Sequence, residues 1–157
     1  MLDVIPEARQ VVTEMRRVVR PGGIVAAGVH DYWGFSNFSM VWDTGATIDE
    51  SISALRDVMK GHPLCTAGGQ AATWRQEGLV DVTEIPIIVN CDYPSFADYW
   101  GTFTSGQGRL SSLIQGLAAD ARGSIERHVR AGYLAGMPDG PRTFPMPVRA
   151  VRGIVPE

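Results

Sequence analysis

The run Glu14-Met15-Arg16-Arg17-Val18-Val19-Arg20-Pro21-Gly22-Gly23-Ile24-Val25 joins a helix to a strand through a very short turn. Upstream of it, Ala8, Val11, Val12, Met15, Val18 and Val19 recur at helical spacing, which predicts a helix from Pro6 to Arg20 with one apolar stripe. Pro6 suits the first helical position and Glu7 the positive N-terminal end, while Arg16, Arg17 and Arg20 crowd the last turn, where cations complement the dipole. Pro21-Gly22-Gly23 stops the helix, with either glycine able to take a positive φ. Downstream, Ile24-Val25-Ala26-Ala27-Gly28-Val29 is apolar without alternation. That pattern predicts a strand buried on both faces, as in a parallel sheet flanked by helices. The strand runs into His30-Asp31-Tyr32-Trp33-Gly34, a sudden cluster of polar and aromatic groups. Ligands of open α/β sheets bind beyond the carboxyl ends of the strands, so this cluster is the leading candidate site.

The rest of the 157 residues sets limits on what the motif can belong to. The chain is 45% hydrophobic and 20% charged, a composition suited to one ordinary α/β domain. Fourteen basic against seventeen acidic residues give a net charge of −3, which argues against a nucleic-acid partner held by bulk electrostatics. Cys65 and Cys91 are too few for a disulfide framework, so a reducing, cytoplasmic compartment is expected. The apolar runs fall well short of the ~20 residues that cross a bilayer, and Met1 to Pro6 does not look like a signal peptide. No membrane partner is expected. Lys60 is the only lysine, which reads as genome bias.

Further elements follow along the chain. Thr47-Ile48-Asp49-Glu50 has the capping-box pattern, with Ile48, Ile52, Leu55 and Met59 continuing one helical face as far as Gly61 and Pro63. A helix is expected over Ala67 to Glu77, ended by Gly78, then a strand over Val82 to Val89, interrupted by Pro86. Ser95 opens a short capped helix to Trp100; Leu110, Leu113, Ile114 and Leu117 mark another, and Ile125, Val129 and Tyr133 a third. Asp139-Gly140 turns into a last strand, Phe144 to Arg152, in which Pro145 and Pro147 restrict two-sided pairing to Val148 to Arg152. Nothing marks a second domain.

Few residue patterns carry chemistry. His30, His62 and His128 are far apart and no CxxC or HxxxH occurs, so no metal is expected. His62 and Cys65 would suit a thiol hydrolase only if Cys65 were exposed and electropositive. There is no GxSxG, Walker loop or dinucleotide fingerprint. His30 is a possible base near neutral pH, and Asp31 a partner for it or for a substrate. Tyr32, Trp33, Phe35, Phe38 and Trp42 would wall an apolar pocket, or simply cover the end of the sheet. Tyr93, Phe96, Tyr99 and Trp100 form a second aromatic group, read as core or lid packing.

The opening run resembles the segment E-M-x-R-V-L-[KR]-P-G-G-x-[VL] of class I S-adenosylmethionine-dependent methyltransferases. The likeness is greatest to the small-molecule group that includes the ubiquinone and menaquinone C-methyltransferases. Trp74-Arg75-Gln76-Glu77-Gly78-Leu79-Val80-Asp81-Val82 is similar to the family's L-x-x-A-G-F-x-D-V step, and Ser95-Phe96-Ala97-Asp98-Tyr99-Trp100 to an S-F-x-D-Y-W segment of one branch. Asp139-Gly140 and the strand ending at Gly153 fit the last hairpin.

The resemblance implies a Rossmann-like sheet in the order 3-2-1-4-5-7-6, with strand 7 antiparallel. Residues 24–29 would be strand 5, residues 82–89 strand 6 and residues 148–152 strand 7, with flanking and inserted helices. The expectation is one incomplete domain over residues 1–157, lacking strands 1 to 4 and the glycine-rich loop and acidic residue that hold the cofactor. Of the family's cofactor contacts only Leu2 and Asp3, just past strand 4, have counterparts. The implied function is the C-terminal, substrate-side part of a methyltransferase acting on a small molecule, with His30, Asp31, Tyr32 and Trp33 touching substrate. S-adenosylmethionine would serve the complete enzyme and bind this chain alone weakly or not at all. One side of Ile24 to Val29 would be an unpaired apolar edge. The expected partner is therefore a second copy of the chain, as a homodimer, or a missing N-terminal half. The alternative is a non-catalytic dimerisation or ligand-binding module derived from the same fold.

Overall fold

A computed structural model describes every residue except Met1, Asp3, Val4, Pro6, Phe35 and Gly106, and the side chain of Ser36. The described elements are α1 (Ala8–Val18), β1 (Ile24–His30), α2 (Ser36–Ala46), α3 (Glu50–Gly61), α4 (Gly69–Gln76), β2 (Val80–Tyr93), α5 (Phe96–Thr104), α6 (Arg109–Gly116), α7 (Ala119–Leu134) and β3 (Arg142–Ile154). A short 3-10 turn at Pro63–Cys65 precedes α4. The three strands form one antiparallel sheet in the order β1-β3-β2. The chain is thus α/β, with β1 and β2 at the two edges of the sheet.

Contacts divide the chain into two compact units, Met1–Gly34 with Met59–Val89 and Met146–Glu157, and Phe35–Val58 with Asn90–Pro145. In the first unit the opening motif behaves as its chemistry dictates. Gly22 takes φ +73°, and a Cβ on Gly23 would lie 2.4 Å from Val19 Cγ1, so both positions require glycine. The turn is pinned to the C-terminal segment by Gly22 N–H donating to Val155 O and Val155 N–H to Gly23 O, both at 2.9 Å. These bonds prolong a ladder that runs from Ile24 opposite Ile154 to His30 opposite Val148. Val25 and Val29 face a core with Val12, Trp74, Leu79 and Val151. Trp74 Nε1 donates to Val25 O at 3.1 Å, satisfying the one polar atom the indole carries into that core.

Three expectations need correction. Strand β1 is not buried on both faces: Val25 and Val29 are buried, but Ile24, Ala26 and Gly28 are exposed. Only one face carries packed elements, so lack of alternation in the sequence reflects small residues on the bare face rather than a second covering layer. Pro86 does not interrupt β2, because an edge strand has one side on which a missing N–H costs nothing. Thr47 is not the cap of α3. Its hydroxyl donates to Thr44 O, and Asp49 Oδ1 instead accepts from Ser51 N at 2.9 Å and Ile52 N at 3.3 Å. Strand β3 begins pairing with β1 at Val148, as the prolines require, and continues beyond Arg152 to Ile154.

The second unit is built on the aromatic group. Phe96, Tyr99, Trp100, Phe103 and Tyr133 are buried, and Phe144 lies within 6 Å of the rings of Tyr99 and Tyr133. The Tyr99 hydroxyl donates to Asn37 O, and burial pushes its pKa well above the ordinary tyrosine range. Ser95 caps α5 by accepting from Asp98 N. Helix α7 tolerates Gly132 in its interior because α2 lies close: a Cβ there would meet Met40 Sδ at 3.0 Å.

Candidate functional site

The C-terminal end of β1 delivers His30, Asp31, Tyr32 and Trp33 in succession, and the four do different things. Asp31 N–H donates to Pro147 O at 3.0 Å, so the chain leaves the ladder only after this residue. The Asp31 carboxylate then folds the turn: Oδ1 accepts from Trp33 N at 3.1 Å and Gly34 N at 3.4 Å. Its other oxygen accepts from Arg149 Nη2 at 2.6 Å. With both oxygens engaged, Asp31 shapes the site instead of projecting a carboxylate outward.

The other three residues surround this anchor. Tyr32 is buried, and the His30 ring meets it edge-on at 5.9 Å between centroids. Trp33 is 66% exposed, an unusual position for so large a side chain. Its Nε1 donates to Lys60 O at 3.0 Å, and Lys60 Nζ stands 5.2 Å from the ring centroid. Trp33 is therefore a held, solvent-facing aromatic platform with a cation beside it, and His30 is half-buried in the same cluster.

Behind the turn lies a polar network that the sequence reading missed. Arg149, on the central strand, also approaches Glu84 of β2, with Nη1 3.9 Å from Oε1. Glu84 in turn accepts from Gly68 N at 3.0 Å and Ala71 N at 2.9 Å. It supplies the cap that Gly68, which offers no side-chain bond, cannot give to α4. Gln70, fully buried, donates to Arg149 O at 2.9 Å. The available signal was register: Val148 and Ala150 lie on the open face, so Arg149 between them carries its charge to the covered one.

The remaining sequence candidates separate. Leu2 is buried in the first unit's core, which gives its side chain a packing role; Asp3 lies outside the described residues. Phe35 lies outside them too, while Phe38 packs edge-on to Phe103 at 5.0 Å and Trp42 is buried, both in helix α2. His62 Nδ1 accepts from Leu64 N at 3.2 Å and Cys65 is fully buried, an arrangement of a turn and not of an exposed nucleophile. Burial raises the pKa of Cys91, with Asp92 adding to the shift. Among the described residues no group of three His, Cys, Asp or Glu is placed to hold a metal ion, and no helix is long and apolar enough to cross a membrane.

Beside the site, the bare sheet face forms a groove of about 470 Å³ lined by Ala26, Gly28, Ile85, Ile87, Val148 and Ala150 among others. Ile85, Ile87, Ile88 and Val89 are each more than 40% exposed. Exposed patches of this kind are rare on soluble monomers. No protein-family model matches the chain, and no curated protein sequence matches it.

Proposed function

We propose that this chain is the C-terminal, substrate-side region of a class I S-adenosylmethionine-dependent methyltransferase, with β1, β2 and β3 as strands 5, 6 and 7. The observation that carries the reading is the strand order. The motif resemblance requires 5-7-6 with strand 7 antiparallel, and the sheet is β1-β3-β2 with β3 antiparallel to β1. A simple hairpin succession would have placed β2 beside β1. The open side of β1 is where strand 4 of such a sheet would pair, and the bare apolar face is what a larger fold would cover. The partner is accordingly an N-terminal region carrying the cofactor strands, and S-adenosylmethionine belongs to that combined protein.

In this reading the His30 to Trp33 turn is the substrate contact. Trp33 offers an aromatic face and His30 a group able to accept a proton, while Asp31 and Arg149 hold the turn in place. Methyl transfer is largely positioning of an acceptor against the sulfonium carbon, so a rigid turn is the useful contribution. The methyl acceptor is a small molecule. The test is to read the frame upstream of Met1 and express it whole. The reading predicts an in-frame extension of about 100 residues or more, containing a strand followed by GxGxG, and a product that transfers labelled methyl groups. In that protein Trp33→Ala should raise KM with little loss of kcat. A stop codon close upstream would favour the non-catalytic module instead.

A further inference from the structure

A second concave surface, an open groove of about 820 Å³, lies in the other unit between α3 and α6. Its long wall is a stripe along α3: Ser51, Ala54, Leu55 and Val58 stand at i, i+3, i+4 and i+7. That stripe is about 10 Å long at helical rise. Leu113 of α6 faces it, and Val58 is left 59% exposed. A wall of this length with Val58 open to water and Leu55 half-exposed beside it is short of an occupant.

The groove has one charged lining residue, Arg109, whose side chain is exposed and makes no ion pair or hydrogen bond among the described residues. Arg109 is also the first residue of α6, where the leading backbone N–H groups have no partner within the helix. Gly108 at the cap contributes no side-chain acceptor. Guanidinium and helix dipole therefore present positive charge at one end of a trough whose other lining is apolar apart from Ser51 and Ser112. The volume falls inside the roughly 300–1,000 Å³ of small-molecule sites. Helix α6 is only eight residues long, too short a wall to grip several turns of a partner helix.

We propose that the groove between α3 and α6 binds an amphiphilic organic anion, an acyl-chain carboxylate, with its tail along Ala54, Leu55 and Val58 and its carboxylate on Arg109. The site is independent of the methyl-transfer reading and belongs to the chain as it stands. The carboxylate takes charge-assisted bonds from the fork of the guanidinium, and the tail removes Val58 and Leu113 from water.

The test is calorimetric titration of the 157-residue chain with dodecanoate below its micelle concentration, with amide-shift mapping to locate the site. Saturable one-to-one binding is expected, with shifts concentrated on residues 51–58 and 108–113. Arg109→Gln, at an exposed position, should weaken binding about tenfold, the scale of one charge-assisted hydrogen bond. Val58→Asp should abolish it, and dodecyltrimethylammonium should not compete. Unchanged affinity in Arg109→Gln, equal binding of the cationic amphiphile, absence of saturation, or shifts on the sheet groove in place of α3 and α6 would each overturn the proposal.

Discussion

Removing the guanidinium of Arg149 would take the shared cation from two carboxylates whose side chains are 12% and 7% exposed, those of Asp31 and Glu84, leaving each only its backbone N–H donors. Losing one partner of a buried pair costs about 3–5 kcal/mol; the Arg149 side chain is 22% exposed, and solvent screening brings the expectation for Arg149→Met to about 2 kcal/mol. Urea denaturation would measure it, and a change below about 0.5 kcal/mol would mean the bridge is only a surface pairing. The cost should be paired with loosening of the Trp33 turn, read as a shift in tryptophan fluorescence. At this scale the sequence was partly legible. His30-Asp31-Tyr32-Trp33 stands out in the sequence by its place after a strand, with Asp31 a partner for His30 or for a substrate; the bonds of its oxygens to the turn and to Arg149 have no such local signal. Its partner Arg149 lies 118 positions away in the chain, and no local pattern announces a bond over such a separation.

Helices α1 and α4 are tied by Glu77, which follows the last residue of α4. Its carboxylate accepts from Arg9 Nε and from the Thr13 hydroxyl at 2.6 Å, while Arg16 donates to its carbonyl at 2.8 Å. The Arg9 hydrogen bond, followed by that of Thr13, holds the Glu77 pKa below the ordinary carboxylate value. A group depressed in the folded state stabilises fully above its unfolded pKa, and the contribution is lost as pH falls through the folded value. Stability of the native chain should therefore fall more steeply than that of Glu77→Gln on acidification from about pH 5 to about pH 3. Arg9 is mostly exposed, so added salt should narrow the gap. Parallel acid curves for the two proteins would contradict the tie. Most elements were legible from periodicity and punctuation: α1, β1, α4 and α5 fall within a few residues of their expected bounds. Helix α2 was not, although Phe38, Val41, Trp42 and Gly45 stand at i, i+3, i+4 and i+7. Its aromatic content invited a reading as pocket wall, and no capping pattern marked its start.

For the whole molecule, the informative feature is an imbalance: one sheet face packed by Val25, Val29 and Val151, the other a bare apolar groove, and β1 open along one side. Periodicity could not reveal this, since Ala26, Gly28 and Ala150 are compatible with either a covered or an uncovered face. The motif order did anticipate the sheet order, because chain topology follows from which strands the connecting helices allow to meet. The strand arrangement and the open edge support the proposal that these residues complete a larger methyltransferase sheet. Calorimetric titration with S-adenosylmethionine tests it most directly, run on the isolated chain and on the product of the continuous reading frame. Weak or no binding is expected of the 157 residues alone, and saturable binding once the N-terminal strands are present. Micromolar affinity in the isolated chain, or none in the continuous product, would contradict the proposal.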